Sequence, residues 1–156
     1  MNIDRNRVIR CFAAYVRDFD RSDAGIVLKY QHSIRVSRII EKLAHGIYLS
    51  DADTDLAWCI GVLHDIGRFE QLKQFDSFEP TTMDHAAYGV QILFEEGMIR
   101  RFMPDDRWDE IIRTAIAKHS DFVLEGVSDP CALFHARLIR DADKLDNFRV
   151  KLEDDL

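Results

Sequence analysis

A histidine–aspartate pair stands near the end of a long apolar stretch of the sequence. Residues 56–66 read LAWCIGVLHDI, and the pair is His64 and Asp65. An ionised carboxylate in an apolar segment is strongly destabilising unless a partner compensates its charge. A metal ion is one such partner, because it binds both imidazole nitrogens and carboxylate oxygens. The segment must therefore be buried in a fold that also supplies a partner for Asp65.

Apolar residues recur at helical spacing in nearly every long segment, and no long segment shows the alternation of a strand. The three prolines lie between these periodic segments. The pattern predicts an all-α fold, an irregular bundle of about six helices in one domain over residues 1–156. Within it, a loop rich in phenylalanine is expected between Phe69 and Phe78. Small polar residues predict where helices begin. The expected N-caps are Ser22, Ser50, Asp105 or Asp106, and Asp129.

Composition narrows the class of protein. A chain of 156 residues that is 47% hydrophobic can bury one core. Its formal net charge of −7 is unlike the basic patches that bind nucleic acid, so no stable nucleic-acid binding is expected. The start of the chain does not resemble a signal peptide, and no apolar run is long enough for a membrane helix. These features predict a cytoplasmic protein without membrane association.

The cysteines are three in number and widely spaced. An odd count without close pairs argues against disulfides and against a zinc–thiolate site. The sequence therefore predicts that they are small buried side chains. They are Cys11, Cys59 and Cys131.

Several predicted helices direct titratable side chains toward a common interior. His32, His64, His119 and Asp143 each lie on the same helix face as apolar neighbours, and His85 adds a further imidazole. Buried polar groups need partners, and backbone groups alone do not supply enough for so many imidazoles and carboxylates. A metal centre would satisfy all of them together.

Each of these residues also has an ordinary explanation. A single histidine on an apolar helix face is usually a hydrogen-bonded core residue, and His45 and His135 are interpreted in this way. A helical bundle without any metal is thus an alternative. It requires the same ordinary explanation to be repeated at every aligned position.

The order of these residues resembles the signature of the HD-domain superfamily of metal-dependent phosphohydrolases, over roughly residues 30–149. That signature is a histidine, a His-Asp pair and a distant aspartate, and the segment DADKLDN at 141–147 is similar to its closing motif. Two further histidines mark the superfamily's two-metal members. The matching positions here are His32, His64, Asp65, His85, His119 and Asp143.

The resemblance implies two divalent transition-metal ions, from among Mn, Fe, Zn, Co and Ni. It also implies hydrolysis of a small phosphate ester, a nucleotide or a phosphodiester, by metal-activated water with Asp65 in a catalytic role. The first ion would be held by His32, His64, Asp65 and Asp143. The second would be held by His85 and His119, with Asp65 bridging.

Three more residues are candidates for substrate contacts. Arg68 stands three residues after Asp65, where a branch of the superfamily that hydrolyses cyclic dinucleotides carries lysine, so it is also a candidate catalytic residue. Lys118 lies beside His119, and Asn147 resembles part of another branch's closing motif. The ordinary alternative for Arg68 and Lys118 is a solvent-exposed cation.

Two other functions are compatible with the same ligand set. The superfamily includes di-iron oxygenases that act on small molecules with a similar set of ligands, and a non-catalytic signalling module would also keep them. The partner expected in each enzymatic case is a small molecule. Because Leu156 follows soon after the last predicted helix, a homodimer partner or a further part of a longer chain is expected to cover the site.

Overall fold

A computed structural model describes residues 2–154 of the chain, and all the regular structure in this range is helical. The predicted all-α bundle is confirmed. Two short helices, Gly67–Phe75 and Ile99–Phe102, are ones that the sequence analysis did not include. None of the helices in residues 2–154 combines the length and apolar character needed to cross a membrane. The helices are α1 Arg5–Arg17, α2 Ala24–Gly46, α3 Asp51–Leu63, α4 Gly67–Phe75, α5 His85–Val90 with a π-helical continuation Gln91–Glu95, α6 Ile99–Phe102, α7 Asp109–Lys118 and α8 Pro130–Asp154.

Helices α2 and α3 pack against each other at the centre, and α8 contacts both. Gly61 allows the close approach, because a Cβ at this position would lie 2.8 Å from the Cα of Ser37 on α2. Every residue from Leu56 to Leu63 is buried. A helix that is apolar on all sides belongs in a core. The segment that leads to the histidine–aspartate pair therefore forms the middle of the molecule.

The region predicted as a phenylalanine-rich loop is largely helical, because residues 67–75 form α4. Phe69 is fully buried and contacts the rings of Phe12, Tyr15 and Phe19. The sequence analysis overlooked the three-residue spacing of Phe69 and Leu72, which places both on one buried helix face. This aromatic cluster holds α4 against α1.

Of the predicted N-caps, two are confirmed. The Ser50 hydroxyl accepts a hydrogen bond from the backbone N–H of Asp53. The Asp129 carboxylate accepts one from the N–H of Cys131, in the first turn of α8. Both caps satisfy backbone groups that a helix start leaves without partners.

The caps predicted for two other helices are wrong. Asp23, not Ser22, is the N-cap of α2, because its carboxylate accepts a hydrogen bond from the backbone N–H of Gly25. Helix α7 begins at Asp109, well after Asp105 and Asp106, and no side chain caps it. In both places several acidic or hydroxyl residues stand close together. Spacing alone did not identify which of them meets the helix.

The cysteines are free and occupy three different environments. Cys59 is buried, Cys11 is partly buried and Cys131 is exposed. The expectation of small buried side chains is thus confirmed for Cys59 and wrong for Cys131. Cys131 is exposed because it lies in the first turn of α8, at the surface end of that helix.

Candidate metal centre

The structure brings the six side chains predicted as metal ligands into two adjacent groups that share Asp65. Three of them lie in α2, α5 and α8, and the other three follow the ends of α3 and α7. Within each group, one potential ligand atom from every residue lies within 4.8 Å of the others. We call the whole set the central cluster. Its first group is His32, His64, Asp65 and Asp143, and its second group is Asp65, His85 and His119.

In the first group, two imidazoles face two carboxylates. Asp143 Oδ1 lies 2.8 Å from His32 Nε2 and 3.2 Å from His64 Nε2. Asp65 Oδ2 lies 3.4 Å from His32 Nε2 and 3.6 Å from His64 Nε2. The two Nε2 atoms are themselves 3.3 Å apart. Four potential ligand atoms therefore surround one small volume.

In the second group, two imidazoles face the other oxygen of Asp65. Asp65 Oδ1 lies 3.5 Å from His85 Nε2 and 3.2 Å from His119 Nε2. These two nitrogens are 3.1 Å apart. The two oxygens of one buried carboxylate thus face different pairs of histidines. This is the arrangement in which a carboxylate can be shared by two cations.

Helix ends position two of the histidines. His64 and His119 directly follow α3 and α7, and the Nδ1 of each lies 2.7 Å from a backbone carbonyl three residues earlier, that of Gly61 or Ile116. The last carbonyls of a helix lack partners within the helix, so they are available to accept these bonds. Because a carbonyl only accepts, Nδ1 carries the hydrogen, and the neutral ring presents a lone pair at Nε2.

A buried aspartate holds His32 in the same way. The Nδ1 of His32 lies 2.7 Å from Asp146 Oδ2, and Asp146 also accepts a hydrogen bond from Arg35 Nε at 2.9 Å. Asp146 is fully buried. The sequence analysis did not give Asp146 a role. Its position three residues after Asp143 was the available signal, because residues at this spacing share a helix face.

Local structure also fixes the position of His85, the first residue of α5. The preceding Asp84 caps this helix by accepting the N–H of Ala87. Gly67, at the start of α4, packs so closely that a Cβ there would collide with the backbone carbonyl of His85. The absence of a side chain at Gly67 therefore allows α5 and its histidine to lie against the start of α4, two residues after Asp65.

The donor set of the central cluster fits a bound cation. When the imidazoles of His32, His64 and His119 are neutral, as metal ligation requires, and Nδ1 carries the hydrogen, their Nε2 lone pairs point toward one another or toward carboxylate oxygens. Such acceptors repel unless protons or cations lie between them. Imidazole nitrogen and carboxylate oxygen together suit divalent transition metals. The residues present therefore match the group that they are expected to hold.

Charges within the cluster shift several pKa values. Burial lowers the pKa of His32, but the carboxylates of Asp143 and Asp65 outweigh it and raise this pKa to about 9. Burial raises the pKa of Asp65, but the neighbouring His64 imidazole and Lys29 ammonium outweigh it and hold this pKa well below its usual range. The carboxylate of Asp65 is thus ionised at neutral pH, and its charge requires a positive partner.

Lys29 is a residue of this site that sequence reasoning missed. Its Nζ lies 3.3 Å from Asp65 Oδ2 and 4.9 Å from the ring centroid of Phe78. The side chain of Lys29 is 12% exposed. It precedes His32 by three residues on α2, and this spacing on one helix face could have identified it.

The predicted substrate contact Arg68 is engaged in local hydrogen bonds. Its Nη1 donates to the side chain of Gln71 and to the backbone carbonyl of Phe78. The positive charge of Arg68 still affects a pKa in the second group of the central cluster. Burial lowers the pKa of His85, and Arg68 adds to that decrease. Arg68 therefore lies at the edge of the cluster and anchors the segment that follows α4.

The other two predicted substrate contacts lie at different distances from the cluster. Asn147 Nδ2 donates to Asp143 Oδ1 at 3.3 Å, so Asn147 borders the first group. The ammonium of Lys118 lies 3.5 Å from Asp121 at the surface. Of the two, Asn147 is the one that the structure places in contact with the central cluster.

Comparisons with known proteins agree with this geometry. A family model described as HD domain matches residues 30–147, a range that contains the whole central cluster. The match covers more than half of the chain. Comparisons with curated proteins and with solved structures found no significant match.

Proposed function

Since this chain belongs to the HD domain family, we propose that it is a metal-dependent phosphohydrolase that cleaves a small phosphate ester, a nucleotide or a phosphodiester. One observation carries the proposal. The Oδ2 of Asp65 faces His32 and His64, whereas its Oδ1 faces His85 and His119. A carboxylate shared in this way suits a pair of ions that act together on one phosphoryl group.

In this proposal each group of the central cluster holds one divalent ion, and Asp65 is common to both. The nitrogen and oxygen donors restrict the ions to Mn, Fe, Zn, Co or Ni. When bound, such ions supply Lewis acidity, which polarises phosphoryl oxygens and lowers the pKa of water. The protein contributes positioning, charge and hydrogen bonds.

Asp65 has the central role among the side chains. It is buried and ionised, because the neighbouring His64 imidazole and Lys29 ammonium outweigh the effect of burial on its pKa. An ionised carboxylate in this position can accept a hydrogen bond from an attacking water and orient it. Asp65 therefore acts both as a shared ligand and as a group that positions the nucleophile.

Lys29 is the residue that we propose for the first contact with phosphate. Its ammonium lies 3.3 Å from Asp65, so a phosphoryl group drawn to the cluster comes within its reach. The ring of Phe78 beneath the ammonium restricts where it can move. A desolvated positive charge beside the reacting group stabilises the negative charge that develops there. Contact with Lys29 would favour substrates that carry an anionic phosphate.

Arg68, Lys118 and Asn147 keep secondary roles in the proposal. Arg68 adds positive charge beside His85, and Asn147 binds the substrate next to Asp143. Lys118 is the last residue of α7 and provides an outer anion contact. The contact of Asn147 with Asp143 and the effect of Arg68 on His85 support these roles.

The proposal includes a cellular setting and partners. It places the protein in the cytoplasm, with a small phosphorylated substrate and without a stable nucleic-acid complex. It also includes a homodimer. Exposed apolar side chains at the end of α2 and on α8 support such an association. They are Ile47, Leu145 and Phe148.

The test combines metal analysis with a phosphate-release screen. Protein purified without chelator and supplied with Mn²⁺ or Co²⁺ is assayed on nucleotides and phosphodiesters. Its variant Asp65→Asn is expected to lose metal from the central cluster and to lose activity by at least about 100-fold, since removing even an outer hydrogen-bond partner of a ligand costs about 10–100-fold. His45→Gln is the matched control, because His45 is exposed and pairs with Glu41.

Other outcomes would contradict the proposal. An iron-loaded protein that consumes dioxygen and releases no phosphate would assign the cluster to an oxygenase. Metal binding without turnover of any substrate in the panel would favour a signalling module. An Asp65→Asn protein with full metal content would exclude the shared role of Asp65.

A further inference from the structure

Another set of potential ligands, outside the central cluster, lies where the starts of α3 and α8 meet. It consists of Asp53, Cys131 and His135, and one ligand atom from each lies within 4.8 Å of the others. We call this group the peripheral cluster. Cys131 and His135 are four residues apart and therefore share a face of α8. Asp53 Oδ1 approaches from α3 and lies 3.4 Å from His135 Nε2.

The surroundings of the peripheral cluster suit a bound cation. Two contacts orient the carboxylate of Asp53. Its Oδ2 accepts a hydrogen bond from the Ser50 hydroxyl, and its Oδ1 faces the imidazole of His135. His135 is 1% exposed, and within residues 2–154 its Nδ1 has no hydrogen-bond partner. Asp129, which caps α8 beside Cys131, adds a second carboxylate. One carboxylate faces the buried, incompletely satisfied ring and a second lies beside Cys131, so the site has excess negative charge.

We propose that Asp53, Cys131 and His135 bind a divalent transition metal of the zinc type, separate from the ions of the central cluster. The ligands would be a carboxylate oxygen, a thiolate sulfur and an imidazole nitrogen, which are all common zinc ligands. The Cys131 thiol gives its proton to solvent as the metal–sulfur bond forms. Cys131 is exposed, so the metal has a path of entry, and water completes the coordination.

Sequence reasoning argued against a thiolate site, because no two cysteines are close together. This site needs only one. The single thiol is combined with a histidine one turn away and with an aspartate from a distant helix. The metal would connect α3, which leads to His64 and Asp65, with α8, which carries Asp143. A metal here would thus crosslink α3 and α8, which both position residues of the central cluster.

Cobalt spectroscopy separates the two clusters. The central cluster contains nitrogen and oxygen donors only, so Co²⁺ bound there produces no sulfur-to-cobalt charge-transfer absorption. Titration of the reduced protein with excess Co²⁺ is expected to produce this near-ultraviolet band, at the intensity of one thiolate-bound ion per chain. The band should disappear in Cys131→Ser. It should remain in Cys11→Ser, the matched control, and in Asp65→Asn, so the result does not depend on the proposed phosphohydrolase function.

Two more variants test the other ligands. Asp53→Asn and His135→Gln are each expected to weaken Co²⁺ binding, followed by the same band, by about 10-fold or more. Circular dichroism shows whether these variants are folded. Absence of the band at saturating Co²⁺, or its survival in Cys131→Ser, would overturn the proposal. Unchanged Co²⁺ affinity in both folded variants would reduce the site to a single thiolate and would overturn it as well.

Discussion

The central and peripheral clusters differ mainly in how their histidines are held. In the central cluster, His64 and His119 use Nδ1 to bond backbone carbonyls at 2.7 Å, which directs Nε2 inward. In the peripheral cluster, the Nδ1 of His135 has no hydrogen-bond partner within residues 2–154. Outer hydrogen bonds fix both the orientation and the tautomer of a ligating histidine. The histidines of the central cluster are therefore pre-organised, whereas the described part of the chain gives His135 no such outer hydrogen bond.

The electrostatic balance also differs between the clusters. Burial lowers the pKa of His32, but neighbouring carboxylates outweigh burial and raise this pKa to about 9. At His135 burial outweighs the one facing carboxylate, Asp53, and the pKa is lowered. The first group of the central cluster thus favours a positive charge on His32 even without metal. The balance between burial and the facing carboxylates therefore has opposite signs at His32 and His135.

The largest expected effect is on the pH dependence of stability in the metal-free protein. Folded His32 has a pKa of about 9, above the ordinary value of 6.5. Its contribution to the free energy of unfolding is therefore complete below pH 6.5 and is lost as the pH rises toward 9. A shift of this size corresponds to on the order of 3 kcal/mol. Urea denaturation of chelator-treated protein between these pH values measures the loss.

His135 should show the opposite trend. Its lowered pKa means that it must be protonated when the protein unfolds near or below pH 6.5, so stability is lost as the pH falls. We expect His135→Gln to reduce the loss of unfolding free energy at acidic pH. The loss at alkaline pH, which comes from His32, should be unchanged. Equal effects of His135→Gln on both sides would show that the two clusters are not electrostatically distinct.

The next effect concerns the outer partner of His32. Asp146→Asn removes a carboxylate that holds His32 Nδ1 at 2.7 Å. We expect the metal affinity of the central cluster to fall by about 10–100-fold, because the ring loses its fixed orientation. Competition with a chelating dye measures this change. Asp141→Asn, an exposed position on the same helix, is the control and should have no effect. The cobalt–sulfur band of the peripheral cluster should also be unaffected.

A smaller effect is expected from Lys29→Gln. This change removes the ammonium that lies 3.3 Å from Asp65 Oδ2 but none of the proposed metal ligands. We expect kcat/KM for phosphate release to fall by roughly 10-fold, since one charged contact to phosphate is lost, with metal content unchanged. Lys42→Gln, an exposed lysine on the same helix, is the matched control. Loss of metal instead of kcat/KM would assign Lys29 to the structure of the cluster.

The parts of the fold that were predicted from the sequence depend on local patterns. The buried helix that leads to His64, the cap at Ser50 and the start of α8 at Pro130 each follow from spacing within a few residues. The convergence of the six side chains was expected from their inward positions and from family resemblance. Local periodicity predicted the helices, and the order of the ligands in the sequence predicted that their side chains converge.

The parts that were not predicted depend on how distant helices pack. Spacing within α2 could place Lys29 on the same face as His32, but its contact with Asp65 depends on how α2 packs against the end of α3. Asp53 and His135 are 82 positions apart, and their contact arises only when α3 and α8 pack together. Asp146 shares its face of α8 with Asp143, but its burial requires α2 beside it. The contacts of these residues therefore depend on tertiary packing, which local sequence patterns do not predict.

Electron paramagnetic resonance of the Mn²⁺-loaded Cys131→Ser protein tests the central claim most directly. This variant lacks the thiolate of the peripheral cluster, so bound Mn²⁺ reports on the central cluster. The account predicts the signal of two exchange-coupled ions linked through Asp65, and its loss in the Cys131→Ser, Asp65→Asn double variant. A signal from isolated ions only, at full occupancy and with Asp65 intact, would contradict a shared carboxylate.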